Sequence, residues 1–174
     1  AFATFDRLEG AHPFTIAGAD RGDHRVRFQI KALGDYTRGL AQRLQPGRPM
    51  QVEGPYGCFD LPQSLDGREQ IWIAGGIGVT PFLAWLEALQ ARPEQASDVD
   101  FYYSVREHAT DPFVARLQAL CANLPAVRLH VISDRLPRDG RRYIARPADQ
   151  VQMLVIHHTG VAFDAPLEEI AATH

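Results

Sequence analysis

The residues with the clearest chemical potential in this chain are three glycines and a Thr-Pro step between two apolar runs. Gly75, Gly76 and Gly78 follow the run IWIA, and Thr80 and Pro81 precede the run FLAWL. Glycine permits a tight turn and lets backbone N–H groups approach a phosphate, because it has no Cβ. Proline suits the first helical turn, and the helix dipole there favours an anion. The pattern predicts a phosphate-binding turn, although the glycines alone are explained as well by simple packing.

Strands and helices alternate after about residue 67, which predicts a parallel sheet with helices on both faces. Strands are expected at the runs IWIA, DVDFYYSV, VRLHVIS and QMLVI. Helices are expected from Pro81 to about Ala91, in DPFVARLQALCANL, and in APLEEIAATH at the end of the chain. The glycine turn then follows the first of these strands, at the edge where open α/β sheets bind their ligands.

The preceding part of the chain is richer in strand patterns. In HRVRFQIKA, the inward-facing residues Val26, Phe28 and Ile30 alternate with polar residues, which is typical of a half-buried strand. Shorter strands are expected in AFATF, HPFTIAG and PMQVEG, and a short helix in YTRGLAQRL. Strands interrupted by one small helix indicate an antiparallel barrel or sandwich. The chain is therefore predicted to form two domains, residues 1–67 and residues 68–174.

Composition argues against several function classes. The 174 residues are 45% hydrophobic and 22% charged, which suits a globular protein with a real core. A net charge of -3 does not suggest binding to nucleic acid or an anionic membrane surface. No apolar run approaches the roughly 20 residues of a membrane span. Cys58 and Cys121 lack metal-ligand spacing, Cys121 is expected to be a small buried hydrophobe, and a reduced cytoplasmic setting fits both.

Five segments, in order, resemble the ferredoxin–NADP reductase superfamily, and in particular its ferric reductase and NADPH oxidase branch. They are HPFT, FQIKALGDYT, VEGPYGCF, GGIGVTPF and YYSVRE, within about residues 11 to 135. The resemblance implies an antiparallel FAD-binding β-barrel followed by a parallel-sheet α/β NAD(P)-binding domain. Because the family's barrel begins several strands before HPFT, the barrel is expected to be truncated in this chain.

The resemblance also implies which residues contact the flavin. They are His12, Pro13, Phe14, Thr15, Lys31, Gly34, Asp35 and Thr37. The first strand would lie along the isoalloxazine ring, with Thr15 hydrogen-bonded near N5, the hydride-accepting atom. Phe14 could equally be plain core, and Lys31 could simply face solvent. The segment GDYT would face the FAD pyrophosphate from a helix start, or would be an ordinary helix cap.

A second set of residues is implied for the pyridine nucleotide. It comprises Gly75, Gly76, Gly78, Val79, Thr80, Pro81, Ser104, Arg106, Ser133 and Arg135. Arginine pairs with a 2′-phosphate, so Arg106 and Arg135 favour NADPH, whereas Asp134 and Glu107 leave NADH possible. In place of the family's C-terminal Cys-Gly-Pro segment the chain has LVIHHTGVAF. Thr159 is expected at the position of that cysteine, beside the nicotinamide, and hydride transfer is expected to be impaired or altered.

The function implied is that of a flavin-dependent oxidoreductase module, which passes a hydride from NAD(P)H to FAD and then single electrons to haem, ferric iron or another acceptor. The acceptor would be a haem-containing membrane domain of the parent chain, which would place this module at the cytoplasmic face of a membrane. Hydride transfer needs no acid–base or nucleophile constellation, because the cofactors carry the chemistry. A non-catalytic nucleotide-binding relic or regulatory domain and a superoxide-generating NADPH oxidase module stay open as alternatives.

Overall fold

The computed structural model describes residues 1–6, 8–61 and 69–133, together with the backbone of a strand at residues 154–157. Two sheets organise these residues, a three-stranded antiparallel sheet and a four-stranded parallel sheet. The predicted combination of an antiparallel and a parallel architecture is therefore present. The described antiparallel strands form an open sheet and no closed barrel, and the expected truncation of the barrel stays a prediction.

The antiparallel sheet lies in the first part of the chain, with β1 at its centre. Its strands are β1 (Phe2–Thr4), β2 (His12–Pro13) and β3 (Gln51–Glu53). Two single helical turns, α1 (Asp35–Arg38) and α2 (Leu40–Arg43), lie where the sequence predicts one short helix. They are separated at Gly39, which interrupts the helix because glycine is a poor helix former.

The long strand predicted over HRVRFQIKA is wrong, since this segment forms only a single bridge between Phe28 and Ile16. Phe28 and Ile30 nevertheless face inward and pack against a small core. The buried residues of that core are Ala3, Phe5 and Leu40. Val26, which was also predicted to face inward, is 50% exposed. Alternation fixes the face of a side chain only where a strand is paired along its length.

The parallel sheet has the strand order β6-β5-β4-β7. Its strands are β4 (Gln70–Gly75), β5 (Val99–Val105), β6 (Val127–Ser133) and β7 (Leu154–His157). From β4 the chain moves outward through β5 to β6 and then returns to the other side of β4. The direction of winding therefore reverses at β4, and the crevice at the carboxyl end of such a strand is where open α/β sheets bind ligands.

Two helices cover one face of this sheet, α3 (Thr80–Ala91) after β4 and α4 (Val114–Cys121) after β5. Alternate residues of β4 and β5, including Trp72 and Phe101, pack with both helices in one large core. Cys121, predicted to be buried, is half-buried and packs against that core, and burial raises the pKa of its thiol to about 11. The helix predicted in APLEEIAATH, which could cover the opposite face, lies outside the described residues.

The predicted domain boundary, between residues 67 and 68, also falls outside the described residues and stays a prediction. Among the residues that the structure describes, no helix is long and apolar enough to cross a membrane. The same residues contain no group of three or more side chains that could bind a metal ion.

Candidate functional site

The glycine turn continues directly from β4. Gly75 ends the strand with extended backbone, and Gly76–Val79 form a single 3-10 turn that leads into α3. Gly76 has a φ of +51°, in the left-handed region that strains a residue with a side chain. A Cβ added to Gly75 or to Gly76 would meet no atom within 4 Å. The backbone of the turn thus faces open space that a Cβ would enter, which fits close approach by a phosphate.

The remaining residues of the turn anchor it in the core. Gly78, Val79, Thr80 and Pro81 are all buried. Pro81 lies in the first turn of α3, as predicted, where its missing N–H leaves no helical hydrogen bond unmade. Thr80 is only 3% exposed, so its hydroxyl is not on the open side of the turn. The open part of the turn is therefore Gly75 and Gly76.

A buried tyrosine connects this turn to the loop after β5. The hydroxyl of Tyr103 lies 3.2 Å from the carbonyl oxygen of Gly76 and 3.1 and 3.2 Å from the two carboxylate oxygens of Asp111. Asp111 also accepts the backbone N–H of Phe113 at 2.9 Å. Burial, followed by the negative charge of Asp111, raises the pKa of Tyr103 well above its usual value. The hydroxyl therefore stays protonated, and its single proton lies within hydrogen-bond distance of both the Gly76 carbonyl and the Asp111 carboxylate.

The register of the sheet brings other predicted nucleotide residues to the same edge. Gly75 pairs with Ser104, and Ser133 pairs with Val105 on the neighbouring strand. Arg106, one residue beyond β5, is exposed. Three of the predicted residues thus share the carboxyl edge with the glycine turn. Arg135 and Thr159 lie outside the described residues.

A pocket of about 380 Å³ opens beside the turn, between the two parts of the chain. Its walls are formed by Gln29, Ile30, Lys31, Gly76, Ile77, Asp111, Pro112, Phe113 and Arg116. Lys31 and Arg116 bring positive charge to the pocket, one from each part, and Asp111 brings negative charge. Arg116 is itself paired with Glu87. Lys31, which the resemblance assigns to the flavin, therefore shares a pocket with the nucleotide turn.

The predicted flavin residues of β2 contact other protein side chains. The ring of His12 stacks on Tyr36, with the centroids 3.6 Å apart and the planes at 19°. Arg43 lies 5.1 Å from the centroid of the same tyrosine ring. Phe14 packs in the small core, 5.8 Å from Phe5 between ring centroids, as the plain-core alternative predicts. Pro13 is exposed and Thr15 is half-buried.

No family model matches the chain. A flavohemoprotein from Bordetella pertussis is 33% identical over 134 residues, which cover 74% of this chain and 33% of that protein. Ferric reduction oxidase 7 of Arabidopsis thaliana is 32% identical over 105 residues, covering 50% of this chain and 14% of that protein. The FAD/NAD-binding domain of nitric oxide dioxygenase from Vibrio cholerae matches with a TM-score of 0.63 at 18% identity, covering 94% of this chain and 66% of that one.

The ferredoxin-NADP+ reductase of Plasmodium falciparum matches with a TM-score of 0.58 at 18% identity, covering 74% of this chain and 54% of that one. These relatives and structural neighbours are ferredoxin–NADP reductase-like, and the chain is similar to that superfamily in sequence and fold. The relatives include a ferric reduction oxidase, which fits the branch that the sequence motifs indicate. The chain spans about a third of the length of the flavohemoprotein that it matches.

The segment GDYT forms a closed local cap. The Thr37 Oγ1 atom accepts the backbone N–H groups of Leu33 at 3.0 Å and of Gly34 at 3.1 Å. The helix-cap alternative therefore describes the role of Thr37 in the structure. Asp35 is exposed at the start of α1, and a Cβ added to Gly34 would meet no atom within 4 Å. Space for a ligand thus remains in front of Gly34.

Three further residues meet near the glycine turn without a clear signal in the sequence. Tyr103 lies in the apolar strand run DVDFYYSV, and Asp111 is the first residue of the predicted helical run DPFVARLQALCANL. Arg116 lies on the amphipathic helix α4, where a lone arginine gives no signal in a chain whose cations are almost all arginine. Only the tertiary structure shows that these side chains meet at the glycine turn and its pocket.

Proposed function

We propose that this chain is the flavin and pyridine-nucleotide module of an oxidoreductase, which takes a hydride from NAD(P)H and delivers single electrons to an acceptor. The observation that carries the proposal is the open backbone of Gly75 and Gly76, at the strand where the winding reverses and beside the pocket between the two parts. The names of the relatives support it, since they describe a flavohemoprotein, a ferric reduction oxidase and an FAD/NAD-binding domain.

The nucleotide would bind along the carboxyl edge of the parallel sheet. The turn at Gly75 and Gly76 would donate backbone N–H groups to its diphosphate. Tyr103 would keep the turn in place through its contacts with Gly76 and Asp111. These groups bind and orient the nucleotide and need not exchange protons with it.

Three positions along the same edge would select the nucleotide. The guanidinium of Arg106 would pair with a 2′-phosphate, with Ser104 and Ser133 as neighbouring hydrogen-bonding groups, so NADPH is preferred to NADH. Arg135 and Thr159 keep their proposed roles, beside the 2′-phosphate and the nicotinamide respectively. All five assignments remain proposals that depend on the family resemblance.

The flavin would lie against the antiparallel part, along Pro13, Phe14 and Thr15, with its pyrophosphate near Gly34 and Asp35. Held by these residues, FAD would supply a hydride-accepting ring atom, N5, and the capacity for single-electron transfer. The protein would supply the ring's position, through Thr15, and exclude water at the small core. Lys31 and His12 would add charge and a ring contact at its edge.

The acceptor that we propose is a haem-containing membrane domain of the parent chain, with this module at the cytoplasmic face. Two of the relatives are named as a flavohemoprotein and a ferric reduction oxidase, so haem and ferric iron are the acceptors that their names suggest. A superoxide-generating NADPH oxidase module would use the same hydride path with oxygen as the final acceptor.

A second candidate is a nucleotide-binding regulatory domain without flavin. It is favoured by the flavin-side residues that already have protein partners, namely His12 on Tyr36, Phe14 on Phe5, and Thr37 on the backbone of Leu33 and Gly34. The nucleotide turn, by contrast, faces open space. Flavin retention separates the two candidates.

The test is to load the protein with FAD, remove the excess by gel filtration, and follow the visible spectrum during anaerobic addition of NADPH or NADH. The proposal expects retained flavin that bleaches, faster with NADPH. Gly75→Ala should slow bleaching by roughly ten-fold or more, because its Cβ enters the space for the phosphate and displaces the nucleotide. Gly10→Ala is the matched control, since a Cβ there also meets no atom within 4 Å but lies far along the chain from the turn.

Each result has a distinct meaning. Retained flavin that neither nucleotide bleaches would contradict hydride transfer. Nucleotide binding without retained flavin would favour the regulatory domain. Equal bleaching of wild type and Gly75→Ala would remove the glycine turn from the mechanism, even if the flavin chemistry is present.

A further inference from the structure

Glu87 is a nearly buried carboxylate on α3, seven residues after the first residue of that helix. Its side chain is only 8% exposed. Unpaired buried carboxylates are costly, so such a group needs strong partners. Glu87 plays no part in the nucleotide or flavin contacts described above.

The two carboxylate oxygens of Glu87 reach different parts of the molecule. Oε2 accepts the backbone N–H of Ala19 at 3.3 Å and the guanidinium of Arg21 at 3.2 Å, both in the antiparallel part. Oε1 accepts the guanidinium of Arg116 at 2.6 Å, on α4 in the parallel part. One side chain therefore joins the two parts of the chain through charged hydrogen bonds, which are stronger than neutral ones.

The charge on Glu87 persists near neutral pH. Burial by itself raises the pKa of the carboxyl group, but the hydrogen bonds from Arg116 and Ala19 and the nearby arginine charges leave the pKa below its usual value. The carboxylate is therefore ionised under the conditions in which a reductase would work.

On the antiparallel side, the segment that Glu87 holds is firmly connected to the proposed flavin strand. The backbone N–H of Ala17 donates to the carbonyl of Arg27 at 2.8 Å, and Ile16 forms a bridge with Phe28. Ala19 lies four residues after Thr15, the residue proposed beside flavin N5. A displacement of Ala19 would therefore also displace the proposed flavin strand, because only a short hydrogen-bonded segment separates the two.

On the parallel side, Arg116 lines the pocket next to Gly76. Glu87 thus contacts a pocket residue with one oxygen and the extension of the flavin strand with the other. The distance between two reacting rings must be correct to within a fraction of an ångström, and a misplacement of about 1 Å can cost roughly 100-fold in rate.

We propose that Glu87 is a positioning residue that fixes the flavin-binding part relative to the nucleotide pocket, through Ala19 and Arg21 on one side and Arg116 on the other. The proposal rests on the proposed function for its effect on hydride transfer. The connection that Glu87 makes between the two parts, however, exists without cofactors, and its contribution to local stability is measured separately.

The experiment compares wild type with Glu87→Gln, which keeps the side-chain shape and removes the charge. Arg21→Ala is a second variant, because its side chain is 58% exposed and its loss should not prevent folding. Glu94→Gln is the matched control, an exposed glutamate just beyond the end of α3. Amide hydrogen exchange is measured without cofactor for residues 17–22. The rate of flavin bleaching and the KM for NADPH are measured on the FAD-loaded protein.

We expect Glu87→Gln to raise exchange in residues 17–22 by roughly ten-fold, because the charged hydrogen bonds are lost. The bleaching rate at saturating NADPH should fall roughly ten-fold or more, while flavin retention stays unchanged. Arg21→Ala should change both quantities in the same direction by a smaller factor, and Glu94→Gln should change neither.

An unchanged rate of amide hydrogen exchange in residues 17–22 of Glu87→Gln would show that Glu87 does not hold the two parts together. Faster exchange with an unchanged bleaching rate would show a structural contact that does not position the reacting groups, and would overturn the proposed role. If bound flavin in wild type is bleached by neither nucleotide, the proposed function has failed, and the positioning role fails with it. The exchange result would still decide whether Glu87 joins the two parts.

Discussion

The two parts of the chain hold their proposed binding residues in different ways. The parallel part has a large core in which Trp72, Phe101 and Tyr103 are fully buried. The antiparallel part has strands of two or three residues around three buried side chains. All of the large exposed hydrophobic residues that the structure describes belong to the antiparallel part, namely Phe2, Leu8, Val26, Leu33, Met50, Val52, Tyr56 and Phe59.

The difference teaches that the two sites depend on different forces. The nucleotide turn begins at the end of a buried strand and runs into a buried helix, so the core itself fixes its geometry. The flavin-side residues are held by local contacts, such as the stack of His12 on Tyr36 and the cap made by Thr37. We therefore expect substitutions of buried core residues in the parallel part to cost more stability than substitutions of exposed residues in the antiparallel part.

The largest expected effect is that of Trp72→Ala. Trp72 is 0% exposed and contacts the rings of Phe82 and Phe101 at centroid distances of 5.4 and 5.7 Å. Removing such a ring should lower the free energy of unfolding by about 3–5 kcal/mol. Denaturant unfolding followed by far-UV circular dichroism measures the loss. Tyr56→Ala, at a 62% exposed aromatic of the antiparallel part, should cost within about 0.5 kcal/mol.

An equal loss in the two variants would break the comparison. It would mean that the exposed hydrophobic residues of the antiparallel part are covered by other protein in solution. The contrast between a part stabilised by its own core and a part held by local contacts would then be wrong.

The next effect in size is that of Tyr103→Phe, which removes the hydroxyl between Gly76 and Asp111. The substitution should cost about 1–3 kcal/mol, because a partly buried carboxylate loses its donor. The pKa of Tyr103 is raised in the folded protein, so the stabilisation is fully present below the usual tyrosine pKa of about 10. It should be lost as the pH rises from there toward the raised value.

Unfolding free energies measured between neutral pH and pH 11 test this contact. Wild type should lose stability above about pH 10 more steeply than Tyr103→Phe, whose phenyl ring cannot ionise. Parallel curves would show that the raised pKa contributes nothing to stability. An unchanged turn and nucleotide affinity in the variant would show that the core alone positions Gly76.

The next effect in size is the loss of stability expected for Gly76→Ala, with Gly75→Ala as its comparison. At Gly76 the φ of +51° should cost about 1–2 kcal/mol of stability when a Cβ is present. At Gly75 the backbone is extended, with φ −131° and ψ 131°, so the stability should stay within about 0.5 kcal/mol. Both variants should weaken NADPH binding, measured by calorimetry, because each Cβ enters the open space. Unchanged binding in both would argue against a phosphate at this turn.

The sequence predicted the parallel part well, because its signals agree with one another. The strands at Gln70–Gly75, Val99–Val105 and Val127–Ser133 match the expected runs, and Pro81 correctly indicated the start of α3. A buried strand between a polar stretch and a glycine turn leaves few alternatives. The joint at Glu87 could not be predicted, since its partners are 29 and 68 residues away in sequence and only the packed structure brings them together.

The antiparallel part was predicted less well for a physical reason. The alternation in HRVRFQIKA predicts a strand only if neighbouring strands pair with it, and the described structure forms a single bridge there. The roles of Phe14 and Thr37 depended on tertiary context in the same way. For Phe14 and Thr37 the sequence fits a flavin contact and an ordinary structural role equally well.

The smallest expected effect is that of Thr37→Val, which removes the Oγ1 acceptor of the Leu33 and Gly34 N–H groups and keeps the branched shape. If the hydroxyl only caps the turn, the free energy of unfolding should fall by about 0.5–2 kcal/mol. Flavin retention should then fall only as far as this loss of stability explains. Thr4→Val, on β1, is the control for the same change of atoms. Loss of flavin from Thr37→Val without any loss of stability would mean that the hydroxyl serves the cofactor directly. The Thr37 hydroxyl would then bind the flavin directly, whereas the glycine turn of the parallel part is positioned by the core, so the two parts would differ more clearly.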